Sequence, residues 1–118
     1  MQQGQAFSMA VGDDQVLQIA VTNPDGSATD LTGATTTWAL EKTAGGTQVV
    51  TKSSAGSGGI TINSPSTGGV FLVAINAADT AGLSAGLYWH EARVTNAAGK
   101  SQVVATGIVT LIGSALGA

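Results

Sequence analysis

The chain has 118 residues, no cysteine, one histidine, and a net charge of −3 from seven acidic and four basic side chains. That is one domain's length of chain, and the lack of cysteine excludes a disulfide framework and thiolate metal sites. Only 9% of residues are charged and none of the basic ones cluster, which argues against nucleic-acid binding.

Taken in chain order, Phe7, Met9 and Val11 alternate until Gly12-Asp13-Asp14 breaks the run, a first strand and turn. Leu17, Ile19 and Val21 alternate with Gln18, Ala20 and Thr22, predicting a second strand with one buried face. Asn23-Pro24-Asp25-Gly26 ends it, proline pre-setting φ and glycine tolerating its positive values. From Ala34 to Glu41, Thr36, Trp38 and Leu40 share a face, and Trp38 suits the centre of a core.

Thr43 to Gly46 reads as a hairpin loop before a strand from Thr47 to Lys52, and Ser53 to Gly59 as a glycine-rich loop. A short strand, Gly59-Ile60-Thr61-Ile62, is followed by a turn over Asn63 to Gly69 and a strand from Val70 to Ile75. Over Asn76 to Leu83 the period of two is lost; a helical turn near 77–82 is expected, with Asp79-Thr80 as its cap and Leu83 entering the core. Gly86 to Thr95 sets Leu87, Trp89, Glu91 and Arg93 against Tyr88, His90, Ala92 and Val94. Asn96 to Lys100 turns the chain into a last strand, Ser101 to Ile112.

About eight short strands with turn signals between them predict an all-β fold, one antiparallel sandwich over 1–118 with short tails at 1–6 and 113–118. Its expected core is Leu17, Ile19, Trp38, Leu40, Phe71, Val73, Ile75 and Leu87. The N-terminus lacks the pattern of a signal peptide, and apolar runs of about six residues fall far short of the roughly 20 that span a bilayer. A soluble chain with no membrane partner is expected.

Chemistry has few candidates. His90 adjoins Glu91, yet neighbours on a strand face opposite ways, so a hydrolytic dyad is disfavoured. Asp13, Asp14, Asp25 and Asp30 could serve calcium, but they begin and end turns and lack the dense alternation of a calcium loop. No G-x-S-x-G elbow or phosphate loop is present. The reading is of a non-enzyme without cofactor or metal. The low charge and mean hydropathy of +0.28 suit a surface meant to be covered by neighbours. Trp89, Tyr88, Ser57, Lys100 and Leu116 are the candidate contact residues, drawn from an aromatic strand, the 53–59 loop, the 96–100 turn and the C-terminal tail.

The landmarks also occur in a telling order. Gly12-Asp13-Asp14 precedes a strand, and Asp30-Leu31-Thr32-Gly33-Ala34 precedes the tryptophan strand. Gly59-Ile60-Thr61-Ile62, Gly69-Val70-Phe71, Ala78-Asp79-Thr80-Ala81-Gly82-Leu83 and Gly86-Leu87-Tyr88-Trp89-His90-Glu91 follow. Over residues 10–112 this succession resembles the immunoglobulin-like β-sandwich of tailed-bacteriophage baseplate upper proteins and related small phage proteins. The resemblance implies a virion structural component, assembled in the host cytoplasm and docked on other virion proteins. It also implies a homo-oligomer, or many copies on a symmetric lattice. Baseplate proteins of that kind continue past the sandwich, whereas this sequence stops at Ala118. The expectation is therefore a capsid decoration protein bound to the major capsid protein; the alternative is a neck, tail or baseplate adaptor. A carbohydrate- or host-surface-binding module, stacking sugars on Trp89 and Tyr88, is the rival from another class.

Overall fold

The structure, a computed structural model, describes residues 6–23, 25–42, 46–55, 58–63 and 65–113. Period-two burial builds its strands. In β6 (Val70–Ile75), Phe71, Val73 and Ile75 are buried while Val70, Leu72 and Ala74 are half-buried. The other strands are β1 (Phe7–Ala10), β2 (Gln15–Ala20), β3 (Thr35–Glu41), β4 (Gln48–Ser53), β5 (Ile60–Ile62), β7 (Gly86–Thr95) and β8 (Ser101–Ile112). One helical turn, α1 (Ala77–Thr80), and a 3₁₀ turn at Ser66–Gly68 complete the regular structure.

Five strands form one sheet in the order β1-β8-β7-β3-β4, and three form the other in the order β2-β6-β5. β2, β5 and β6 thus take the places of strands B, D and E of an immunoglobulin-like sandwich, and β3, β7 and β8 those of C, F and G. β4 adds to the larger sheet beside β3, as C′ does in variable-type domains. Every strand pairing is antiparallel except that of β1 with β8, which is parallel, with Phe7 opposite Val109 and Ala10 opposite Ile112. Alternation within a strand carries no record of its neighbour's direction, so this departure from a purely antiparallel sandwich is a structural finding.

The two sheets enclose Trp38, Leu40, Ile19, Leu31, Phe71, Val73, Ile75, Val104, Val109 and Leu111, each no more than 2% exposed. Burying such side chains contributes roughly 1.5–3 kcal/mol apiece, and this is the main force closing the sandwich. His90 lies fully buried among them, accepting a 3.0 Å hydrogen bond at Nδ1 from Trp38 Nε1. Tyr88, two residues earlier, is buried too, and its hydroxyl donates to the Ser84 carbonyl at 2.8 Å. A tyrosine at the start of strand F, bonded to backbone a few residues upstream, is the tyrosine corner of immunoglobulin-like domains.

Leu87 corrects the expected core: it is 64% exposed. β7 carries apolar residues on both faces, and the corner bond commits Tyr88, His90, Ala92 and Val94 to the interior. Leu87 must then point out, because a strand's faces alternate. Leu17 is half-buried against the core rather than within it. The helical turn stops at Thr80, short of 82, and its N-cap is Asn76; Asp79 sits in the turn and accepts the Asn76 N–H at 2.7 Å. Leu83 packs on the core as expected.

An ion pair fastens the sheets at one edge. Lys52 of β4 lies 2.7 Å from Asp79 of α1, with side-chain exposures of 10% and 23%. Burial pushes the Asp79 carboxyl up, but the Lys52 ammonium and the Asn76 N–H outweigh it and hold the group below its ordinary value of 3.8. At the other end of the smaller sheet, Gly69 adopts φ +72°, and a Cβ there would sit 2.6 Å from the Val21 carbonyl oxygen and 2.9 Å from that of Thr29. Both obstacles are backbone, so neither can swing aside.

Gly69→Ala is therefore expected to cost at least about 2 kcal/mol, from positive φ plus the backbone clash. Gly68→Ala, which meets nothing within 4 Å, should stay within about 0.5 kcal/mol in the same urea titration. Asp79→Asn should lower stability at neutral pH by about 1.5–3 kcal/mol, the range for hydrogen bonds to charged groups. A folded-state pKa held below 3.8 gives stability that is present above that value and lost as pH falls through it. The gap between wild type and Asp79→Asn should accordingly narrow in melts recorded at successively lower pH below 3.8.

Candidate interaction surface

The outward face of the five-stranded sheet is built by the same alternation that fills the core. Tyr88, His90 and Ala92 point in, so Leu87, Trp89 and Glu91 point out. On β8, Val109 and Leu111 point in and Ile108, Thr110 and Ile112 point out. The register then sets Trp89 beside Ile108, Leu87 beside Thr110, and Ala10 beside Ile112. Ile108 is 46% exposed and Ile112 52%, and with Leu87 and half-buried Trp89 they form an apolar strip across β7 and β8. Further along β8 a register shift opposite Ala92/Arg93 lets the consecutive Val104 and Ala105 both be buried.

Exposed charge on this strip's strands enters the face at one end. Arg93 and Glu91 pair at 3.4 Å, half exposed, a contact worth little to stability. Beside them Thr37, Ala39 and Thr51 floor an open groove of about 520 Å³. Glu41 occupies the position opposite Trp89 and is only 6% exposed, with Oε2 lacking a hydrogen-bond partner. No alternation or motif in the sequence signals that carboxylate. It sits at the β3–β4 register shift between Leu40 and Glu41, which a single sequence does not reveal.

The five expected contact residues are scattered. Trp89 lies on the outward face, while Tyr88 is 4% exposed and belongs to the core, so it is not a surface contact. Tyr88 and Trp89 face opposite ways and cannot sandwich one sugar ring between them. Lys100 is exposed in the β7–β8 turn, which Asn96 organises by accepting the N–H groups of Ala98 and Lys100 on Oδ1, both at 3.0 Å. Lys100 lines a separate groove of about 580 Å³ with Asn23, Asp30 and Gln102. Ser57 and Leu116 lie outside the described residues, as do Pro24, 43–45 and most of both expected tails.

The titratable candidates have structural employment. His90 faces the core and Glu91 the exterior, so the two do not meet. Asp25 accepts the backbone N–H and hydroxyl of Ser27, and Asp30 accepts the Thr32 N–H. The Ser27 and Thr32 hydrogen bonds hold both carboxyls below the ordinary aspartate value. Asp14 accepts the Ala77 N–H at 2.7 Å, tying the β1–β2 turn to α1. Among the described residues, no three His, Cys, Asp or Glu side chains converge as metal ligands, and no helix is long and apolar enough to cross a membrane.

Neither a protein-family model nor a curated protein matches the chain. Among solved structures, CopC from Methylosinus trichosporium OB3b is similar at 13% identity and a TM-score of 0.46, over 90% of this chain and 82% of that one. The amphioxus IgVJ-C2 molecule is similar at 14% identity and a TM-score of 0.32, over 89% of this chain and 54% of that one. Likenesses this remote assign no activity.

The face assignment has a direct check. Leu87→Ala should change the unfolding free energy by no more than about 0.5 kcal/mol, as at other exposed positions. Leu111→Ala, at a site 2% exposed, should cost about 2–5 kcal/mol in the same titration. Equal losses at the two sites would invert the faces of β7 and β8.

Proposed function

We propose that this chain is a non-enzymatic structural protein of a tailed-bacteriophage virion, a decoration protein that docks on the major capsid protein. The observation that carries the reading is the apolar strip of Leu87, Trp89, Ile108 and Ile112, displayed on a rigid sheet in a chain with 9% charged residues. Apolar patches rimmed by polar residues mark protein contacts, and many copies on a lattice multiply weak contacts through effective concentration. The order of sequence landmarks, which resembles small phage sandwich proteins, supports the virion as the setting. A neck, tail or baseplate adaptor uses the same surface chemistry at lower copy number.

The docking reading separates from a carbohydrate-binding module by geometry. Trp89 is the one aromatic on the outward strip, and its neighbours there are aliphatic side chains, Thr110 and the nearly buried Glu41 rather than a ring of exposed hydrogen-bonding groups. Sugars need such groups to be oriented.

Copy number in purified particles discriminates the placements. Hundreds of copies are expected for capsid decoration; multiples of three or six would place the protein on the neck, tail or baseplate. A Leu87→Asp/Ile108→Asp double variant should fold with wild-type stability within about 1 kcal/mol, yet fail to join particles. Incorporation at the wild-type level would remove the outward strip from the docking surface, and binding to a glycan array lost with Trp89→Ala would favour the carbohydrate reading.

A further inference from the structure

Among the described residues, Glu41 is the charged side chain that the fold buries and leaves unpaired. It is 6% exposed, and its Oε2 has no hydrogen-bond partner. Burying a carboxylate in that way costs stability, so the atom calls for a partner. The chain's own four basic side chains do not provide one. Lys42, next in sequence, lies over the Tyr88 ring at 5.0 Å from its centroid. Lys52 is bound to Asp79 at 2.7 Å and Arg93 to Glu91 at 3.4 Å, while Lys100 lines the separate groove with Asn23 and Asp30.

The surroundings of Glu41 narrow what fits. The register sets it directly opposite Trp89, and Trp89 opposite Ile108, so the three form one row across the outward face. Leu87 lies two residues from Trp89 on the same face of β7. Opposed side chains of an antiparallel pair have Cβ atoms about 4.5–5.5 Å apart, so one incoming side chain spans both the carboxylate and the indole. Arginine matches the pair. Its planar fork presents several donors to a carboxylate, its guanidinium stacks on aromatic faces, and its aliphatic stem lies along apolar surface. Lysine offers a compact, strongly hydrated charge that is harder to strip of water.

We propose that the outward strip recognises an arginine of its protein partner, set among apolar side chains. The guanidinium packs on Trp89 and donates to the Glu41 carboxylate, and the flanking apolar groups cover Leu87 and Ile108. Charge complementarity selects this occupant. A purely apolar partner would dehydrate Glu41 further and leave it unpaired, so the strip discriminates against surfaces that lack the cation. A nucleic acid or an acidic glycan would meet the wrong sign. A second copy is disfavoured because the chain's single arginine, Arg93, is held by its own Glu91. The proposal rests on the reading of the strip as a docking surface and holds for any particle the protein joins.

The test uses the tripeptide Ac-Leu-Arg-Leu-NH2, titrated into the full chain to about 10 mM, a range that covers weak millimolar contacts. NMR follows the Trp89 indole N–H and the Glu41 side-chain carboxyl carbon. Saturable shifts at both are expected, with Ac-Leu-Gln-Leu-NH2 binding at least about tenfold more weakly, as a charge-assisted hydrogen bond requires. Glu41→Gln keeps the side-chain shape and should weaken the arginine peptide by a similar factor while leaving the glutamine peptide unchanged. The comparison of the two peptides on the wild-type chain stands whatever the stability of the variant. Equal binding of the two peptides, indifference to Glu41→Gln, or shifts that never saturate would each overturn the proposal. So would a chain that self-associates and reverts to monomer on Arg93→Gln, which would give Glu41 to a second copy. No particle enters the measurement, so a negative result here removes the arginine alone. The docking reading itself fails separately, if Leu87→Asp/Ile108→Asp joins particles at the wild-type level.

Discussion

The bond from Trp38 Nε1 to His90 Nδ1 is the constraint around which the interior is arranged. A buried indole N–H needs an acceptor, and leaving it unmatched would cost about 1–3 kcal/mol. His90 supplies one, and in the neutral imidazole an accepting Nδ1 places the ring proton on Nε2. Phe7 meets the same ring edge-on at 5.2 Å, so side chains from β1, β3 and β7 converge on one imidazole. The position has a parallel in antibody domains, where the residue two beyond the corner tyrosine is a cysteine whose disulfide packs against the strand C tryptophan. Here Tyr88 and His90 keep that spacing without any cysteine, and a directional hydrogen bond to the tryptophan stands at the cysteine's position. Its contribution differs in kind: a disulfide acts largely on the unfolded chain, while this contact acts within the native core.

That use of the single histidine shapes what is left for the exterior. His90 is inside, Asp25 and Asp30 hold turns, Asp14 and Asp79 hold α1, and Lys52 is bound to Asp79. Much of the titratable chemistry is thereby engaged in holding the fold. The surface that remains is mostly hydroxyls, amides and aliphatic side chains, with a few charges such as Lys100 and the Glu91–Arg93 pair, and it recognises chiefly by shape and by excluded water. The proposed docking role follows from that division of labour.

Much of this was legible in the sequence where one face of a strand is clearly apolar. β6 and β2 announce themselves through Phe71, Val73, Ile75 and Ile19, and Trp38 sits where a central core residue was expected. β7 was ambiguous because Leu87 and Trp89 compete with Tyr88, Ala92 and Val94, and alternation alone cannot choose between two half-apolar faces. The deciding signal is the spacing of Ser84, Tyr88 and His90, which is readable only once a tyrosine corner is sought. Other features leave no local trace. The partnership of β1 with β8 spans nearly the whole chain, and the burial of Glu41 depends on a register shift between strands. Such information resides in pairing, which periodicity does not encode.

The separation of β1 from β2 into opposite sheets is a consequence of how the β1–β2 turn is anchored. Gly12 donates its N–H to the hydroxyl of fully buried Thr80 at 2.9 Å, and Asp14 accepts the Ala77 N–H two residues later. Val11, just before them, donates to the Ile112 carbonyl at 2.9 Å, extending the attachment of β1 to β8. With its C-terminal end pinned on both sides, β1 has no freedom to cross back and lie along β2. The larger sheet gains a fifth strand by the same hydrogen bonds that hold the smaller one at three.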